Sequence, residues 1–396
     1  MTAPACYLNS LGLLCSIGDS KNSVEQSLRS ARKNTTLTDA YSTGQPLPIG
    51  LYQGELPAIP LPNKKWQSRN NQFALAALQQ IQEDVSQAIK VFGAHRIAVI
   101  IGTSTSGISE SEPAIKEWAL TGRAPDYYDY GLQEMGATAQ FIAEVLAVKG
   151  PVYGISTACS SGAKALASAR RLIQSGICDA VIAGGVDTLC QLTVQGFSSL
   201  QAVSPEPCNP FSKNRKGINI GEGAALFLVS RRKAGVELCG AGESSDAHHI
   251  SAPDPSGKGA IKCMSGALSD AKIKASDIGY VNLHGTATTL NDAMESTAMR
   301  AVFGDKTLCS SSKPYTGHTL GAAGALEAGI CWLMLSTQAN QQFLPEHLWD
   351  GVADPALAKI NLVNKQQAIG NDINYALSNS FAFGGSNISL LLGRIQ

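Results

Sequence analysis

Charge is scarce in this sequence. Only 16% of its 396 residues are Asp, Glu, Lys or Arg, against roughly 25% in ordinary soluble domains. The 31 basic residues balance the 31 acidic ones, so there is no electrostatic footprint for nucleic acid, and DNA or RNA binding is not expected. Blocks of like charge are absent while 44% of the residues are hydrophobic, which excludes disorder. Little charge in so long a chain points to much buried surface, in a large core or a subunit interface. Ten cysteines are scattered without a single Cys-x-x-Cys pair. That leaves no zinc spacing and no disulfide framework, so most read as small buried hydrophobes in a reducing compartment. No Lys or Arg precedes Lys21, so the start lacks the charged region of a secretory signal. The longest apolar stretch, Thr319 to Leu335, carries Glu327 and several glycines and falls short of the about 20 residues that cross a bilayer. It reads as a helix buried in protein, with no membrane span. A cytoplasmic, soluble protein is expected.

What is present is an alternation of short β-rich runs and small-residue helices. Arg96 to Ile101 and Asp179 to Ala183 read as buried strands ending at glycine. Between them, Ala163 to Gln174 gathers Ala165, Leu166, Ala169, Leu172 and Ile173 on one helical face. Strand, helix, strand implies a parallel sheet covered by helices. The second half echoes the first: a strand over Ile278 to Leu283, a turn at Gly285, a helix from Asn291 to Val302, and strands at Tyr375 to Asn379 and Ile388 to Leu392. No exact repeat is visible, only this architectural echo. A division near residue 240 follows the strand Ala224 to Ser230. The Pro-rich segment 41–65 reads as a surface excursion.

The strongest local signal is Ser156-Thr157-Ala158-Cys159-Ser160-Ser161-Gly162. A strand running into a helix whose first turn holds Cys159 would expose the sulfur at an elbow, where the helix N-terminus favours the thiolate. By local pattern alone Cys159 is either such a nucleophile or one more packing cysteine. A nucleophile needs partners. Among six histidines, His95, His248, His249 and His347 read as superficial or loop residues, whereas His284 and His318 sit beside glycines at strand-to-helix junctions.

Five motifs then appear in order: STACSSG, PFSKNRKGINIGEGAA, HGTATTLND, SSKPYTGHTLGAAGALE and NSFAFGGSN. Together they resemble the β-ketoacyl-acyl carrier protein synthases of the type I/II class over nearly the whole chain. The resemblance implies an α/β, thiolase-like fold, five-layered α-β-α-β-α from two similar halves (1–240 with the cysteine, 241–396 with the histidines), and an obligate dimer. It implies Cys159 as nucleophile, His284 and His318 completing a Cys-His-His site, Lys313 supporting the histidines, and Glu295 as a structural acid near that lysine. Backbone N–H groups of Cys159 and Phe383 would form an oxyanion site. Thr286 and Thr288 would bond the phosphopantetheine arm, Phe381 and Phe383 would frame the acyl pocket with the second as its gate, and Phe197 and Thr105 would line the acyl tunnel. A Thr105 hydroxyl in that tunnel would need a partner, which suggests flat unsaturated or aryl-capped chains.

The implied reaction is a decarboxylative condensation of an acyl-cysteine with a malonyl thioester. It needs no metal or redox cofactor, because the substrates ride on the phosphopantetheine of acyl carrier protein. That partner is acidic, and Lys64, Lys65, Arg69, Arg123, Lys213 and Arg215 are docking candidates. Three departures from the family pattern are Ala382 for a glycine, Lys216 for an acid, and Thr289 for a proline. The segment from Leu189 to Leu228 resembles specialised synthases such as those of bacterial aryl-polyene pathways, so fatty-acid, polyene and polyketide roles all stay open. So do a homodimer and a heterodimer with a chain-length factor. A chain-length-factor-like partner subunit is the alternative reading, disfavoured because those chains lack the nucleophile. A degradative thiolase is disfavoured because its nucleophile lies nearer the N-terminus.

Overall fold

The computed structural model describes residues 4–338, 341–365 and 372–395. The first half contributes Tyr7–Cys15 (β1), Ile97–Gly102 (β2), Val152–Ile155 (β3), Ala180–Asp187 (β4) and Gly223–Ser230 (β5). β2, β4 and β5 are buried at every residue, the pattern expected of strands covered on both faces. Their order is β3-β2-β4-β5-β1; β3, β2 and β4 run parallel, and β5 is antiparallel to both neighbours. The second half contributes Val236–Ser245 (β6), Tyr280–Leu283 (β7), Leu308–Ser311 (β8), Tyr375–Phe381 (β9) and Ser386–Arg394 (β10). Their order, β8-β7-β9-β10-β6, repeats that of the first half with the same directions, and Asn361–Leu362 adds a short strand beyond β8. The echo in the sequence is a repeated topology. The two sheets join at a single pair, Tyr7 opposite Glu237.

Alternation along each strand feeds different layers. Ile97, Val99 and Ile101 pack outward with Arg69–Gln79 (α1) and Ala137–Leu146 (α2), while Ala98 and Ile100 face inward to Ser161–Gln174 (α3). Lys258–Ala271 (α4) and Thr289–Phe303 (α5) cover the outer face of the second sheet. Ala323–Ser336 (α6) joins α3 between the sheets, and all of α6 except Trp332 and Ser336 is buried. The result is five layers. Small residues allow the two central helices to touch: a Cβ on Gly162 would stand 2.9 Å from the Cβ of Ala325. This explains a glycine- and alanine-rich apolar stretch too short for a bilayer, and no helix among the described residues is long and apolar enough to cross one.

Three expectations shift. Residue 240 falls inside β6, and we place the division of the repeats in the turn at 231–235. The 41–65 segment is not wholly superficial: Leu47–Ile49 is buried against Leu189, Ile220 and Leu320, and the Gly50 N–H donates to Ile220 O. Finally, α3 starts at Ser161, so Cys159 lies in the turn before the helix and not within its first turn.

Candidate active site

Loops at the carboxyl ends of strands from both halves converge on one point, the place where open α/β sheets usually bind ligands. Cys159 follows β3, His284 follows β7, His318 follows β8 through the short helix Lys313–Thr316, and Phe383 follows β9. The elbow under Cys159 depends on Ala158, whose φ of 52° is left-handed, a conformation costly for any residue with a Cβ. Two serines hold it there. Ser161 Oγ accepts from Thr157 N and donates to Ala158 O, and Ser160 Oγ donates to Thr157 O.

The Cys159 sulfur is 3.0 Å from His318 Nε2. One donor atom each from Cys159, His284 and His318 lies within 4.8 Å of the others, and all three residues are buried. Burial pushes the Cys159 thiol up to about 11, against the opposing pull of the Lys313 ammonium and of the Phe383 and Cys159 backbone N–H groups. The expectation that the helix start favours a resting thiolate is therefore overturned: desolvation outweighs the nearby dipoles. Burial, reinforced by Lys313, holds both imidazoles well below their usual 6.5. Both histidines are neutral at pH 7.

Lys313 is itself buried and donates to Glu327 at 2.5 Å. Glu295, expected as a structural acid near that lysine, does feel its charge. It accepts from the backbone N–H groups of His284 (2.8 Å) and Gly285 (2.7 Å), fixing the loop that carries His284; burial pushes its carboxyl up to about 7. Glu327 was missed as a site residue, yet a lone acid inside an apolar helix was a usable signal, because acids are rarely fully buried without a partner. Asp292 was also missed. It accepts from the N–H groups of Phe211 (2.7 Å) and Ala287 (3.2 Å), tying the Thr286 loop to the Phe211 turn.

A cavity of about 290 Å³ opens onto Cys159, His284 and His318. Thr286 and Thr288 line it with hydroxyls 2.9 Å apart. Phe381 lies beside the His284 ring, centroids 6.1 Å apart, and Phe383 packs on Phe197 at 5.5 Å. Gly384 and Gly385 take φ of 81° and 76°, the left-handed region that glycine enters freely. Ala382 has φ −92°, which any residue adopts, so its side chain adds no backbone strain to the loop.

Thr105 is not in this cavity. Its hydroxyl donates to the buried carboxylate of Asp187 at 2.8 Å, so the argument from an unpartnered tunnel hydroxyl to unsaturated chains falls. Asp187 also accepts from Thr103, the Ser104 N–H and the Gly321 N–H.

The candidate docking cations divide sharply. Arg69 is held by Glu222 through two hydrogen bonds of 3.0 and 2.6 Å. Arg215, with 6% of its side chain exposed, is held by Asp354 at 2.6 Å. Both guanidinium groups are engaged within the chain. Lys65 stacks on Trp66 at 4.4 Å. Lys64 and Lys213 are exposed, and Arg123 is exposed with Asp126 3.6 Å away. Lys216, paired with Glu206 at 2.7 Å, lines the reaction cavity.

Comparison with known proteins agrees with this geometry. Residues 53–234 match the N-terminal domain of β-ketoacyl synthases and residues 236–346 the C-terminal domain. A 3-oxoacyl-[acyl-carrier-protein] synthase 2 of Staphylococcus aureus (strain COL) is 32% identical over 348 residues, 83% of this chain and 82% of the relative. A chain from the complex of the ketosynthase ApeO with its chain length factor ApeC, from Xenorhabdus doucetiae, is 43% identical, with a TM-score of 0.93 over 99% of this chain and 98% of that one. A chain of the ishigamide ketosynthase/chain length factor superposes with a TM-score of 0.88 at 27% identity, each chain covered in full.

Proposed function

The chain belongs to the β-ketoacyl synthase family, and on that premise we propose that Cys159 is the residue that accepts the acyl group in a two-step decarboxylative condensation. The observation that carries the proposal is the 3.0 Å approach of His318 Nε2 to the Cys159 sulfur, with His284 on the same cavity. In the first step the sulfur attacks the acyl-carrier thioester, and the thiol proton passes by way of His318 to the departing carrier thiolate. A raised thiol makes that relay necessary. In the second step malonyl-carrier loses CO₂, and the enolate oxygen takes hydrogen bonds from the N–H groups of neutral His284 and His318. The resulting carbanion attacks the acyl-Cys159 carbonyl, whose oxygen is met by the backbone N–H groups of Cys159 and Phe383, and the cysteine leaves. No metal or redox group takes part.

Burial keeps both histidines unprotonated, the Lys313 ammonium held by Glu327 reinforces this, and Glu295 positions His284. Thr286 and Thr288 receive the pantetheine arm of an acyl carrier protein. Lys64, Arg123 and Lys213 remain as cations for that acidic partner.

The 43% identity to a chain of the ApeO–ApeC complex supports a specialised, aryl-polyene type of substrate and a heterodimer with a chain-length factor. The alternative, that this chain is itself the non-catalytic partner, has less support, because nucleophile, histidines and lysine are all present and assembled. Ten free cysteines, nine of them buried, suit a reducing cytoplasm. The test is intact mass after incubation with a panel of acyl-carrier thioesters. Wild type should gain one acyl mass and Cys159→Ala none; acylation of the variant would overturn the assignment.

A further inference from the structure

We infer that Cys159, His284 and His318 also form an inhibitory site for a borderline-soft divalent cation, with zinc as the case argued. A thiolate and two imidazoles are the donor types zinc selects, and three protein ligands with a fourth position open is the arrangement of an accessible zinc centre. Among the described residues no other group of three or more Cys, His, Asp or Glu donors is gathered in this way. Tetrahedral zinc at about 2.3 Å from sulfur and about 2.0–2.1 Å from nitrogen sets its donors roughly 3.3–3.6 Å apart. The three donors lie within 4.8 Å of one another and the His318–Cys159 pair at 3.0 Å, so side-chain rotations moving atoms by roughly 1 Å close the shell. The fourth position faces the cavity, where a water or an entering thiol could bind.

Two features set the character of the site. His284 Nδ1 and His318 Nδ1 are buried without hydrogen-bond partners. No outer acceptor fixes either ring, which resident zinc histidines ordinarily have. In addition, the Lys313 ammonium acts on all three ligands and repels a dication, partly offset by Glu327 at 2.5 Å. Both features favour a reversible ligand over a permanent one. On binding, the Cys159 S–H bond breaks, its proton leaves to solvent and an S–Zn bond forms; no electron is transferred. Zinc then occupies the lone pair the acyl group needs. The inhibition rests on Cys159 being the acyl acceptor, whereas the binding does not.

The experiment titrates the full-length protein with cobalt(II) as a spectroscopic probe and then competes with zinc. Wild type should bind one ion per chain with a sulfur-to-cobalt charge-transfer band. Cys159→Ala should lose that band and at least tenfold in affinity, and His318→Ala should weaken zinc to a similar degree. Stoichiometric zinc should shield the Cys159 peptide of wild type from iodoacetamide, a readout that needs no variant to fold. Prior alkylation of Cys159 should abolish binding. Equal affinity in Cys159→Ala, or unshielded alkylation, would overturn the site. No acyl substrate enters these measurements, so their failure leaves the condensing reading standing, and failure of acyl transfer leaves the metal site standing.

Discussion

Replacing Glu327 with leucine tests how the positive charge of the site is held. Lys313 and Glu327 have 2% and 3% of their side chains exposed, and their charged atoms are 2.5 Å apart. Removing one partner of so buried a pair leaves an uncompensated charge and typically costs about 3–5 kcal/mol. With an unfolding entropy of about 2.1 cal/mol/K per residue over 396 residues, that corresponds to a melting temperature lower by roughly 4–6 °C. The double variant Lys313→Met with Glu327→Leu removes both charges, and such swaps are often neutral or even stabilising, so it should melt close to wild type. Function should not follow stability. The double variant lacks the ammonium that helps keep His284 and His318 unprotonated, so its malonyl decarboxylation should fall. Calorimetry and CO₂ release measured on the same samples separate the two effects. If Glu327→Leu melts with the wild type, the buried pair does not carry that stability; if the double variant decarboxylates normally, burial alone suffices to hold the histidines neutral.

Other consequences can be measured directly. Cys159→Gln should release CO₂ from malonyl-carrier without condensing; if none is released, the two histidines are not the enolate donors. His284→Ala should still self-acylate but lose about a hundred- to thousandfold in decarboxylation, the usual effect of deleting one oxyanion donor, whereas His318→Ala should be impaired in both steps because Nε2 also faces the sulfur. Since burial pushes the Cys159 thiol up to about 11, the thiolate fraction rises with pH throughout the neutral range. Iodoacetamide labelling of Cys159 should climb about tenfold per pH unit from pH 7 to 9, and a rise that flattens between pH 8 and 9 would show an unshifted thiol. Thr105→Val leaves the buried Asp187 short of one donor and should cost about 1–3 kcal/mol in chemical denaturation while leaving chain preference unchanged; altered preference would return Thr105 to the acyl pocket.

The main elements were legible because they carry local signals. Arg96 to Ile101 is apolar on both faces, and the observed β2 differs by one residue at each end. The helix expected over Ala163 to Gln174 begins only two residues earlier, at Ser161. Cys159, His284 and His318 stood out because each sits where a strand gives way to a tight turn. What escaped was the identity of long-range polar partners. Nothing near Arg69 announces Glu222, 153 positions away, and nothing near Arg215 announces Asp354; an ion pair turns a docking cation into a structural one without leaving a local trace. The same holds for Thr105, whose hydroxyl reads as unsatisfied until Asp187 arrives from another strand. Glu295 was legible as an acid near Lys313, but its donors, the His284 and Gly285 N–H groups, were not, because helix position fixes where a carboxylate lies more tightly than which donors reach it.

The two repeats show how one topology serves chemistry and support at once. β3 and β8 occupy equivalent positions in the two repeats; the first leads to Cys159 and the second to Lys313 and His318. β2 and β7 are equivalent too, but their ends differ in kind. After β7 comes His284, with an unpaired Nδ1. After β2 come Thr103, Ser104 and Thr105, all bonded to Asp187 at the end of β4. That carboxylate also accepts from the Gly321 N–H at 2.6 Å, three residues past His318. The end of β2 in the first repeat thereby anchors the loop of His318 in the second. A side chain at 321 would push this network apart, because its Cβ would stand 2.8 Å from both Asp187 Oδ2 and Ser104 Oγ and 2.9 Å from the Ser104 backbone nitrogen. The 3.0 Å approach of His318 to Cys159 thus depends on a polar network in the other half of the molecule, which ties the position of His318 to the folding of the repeat that carries Cys159.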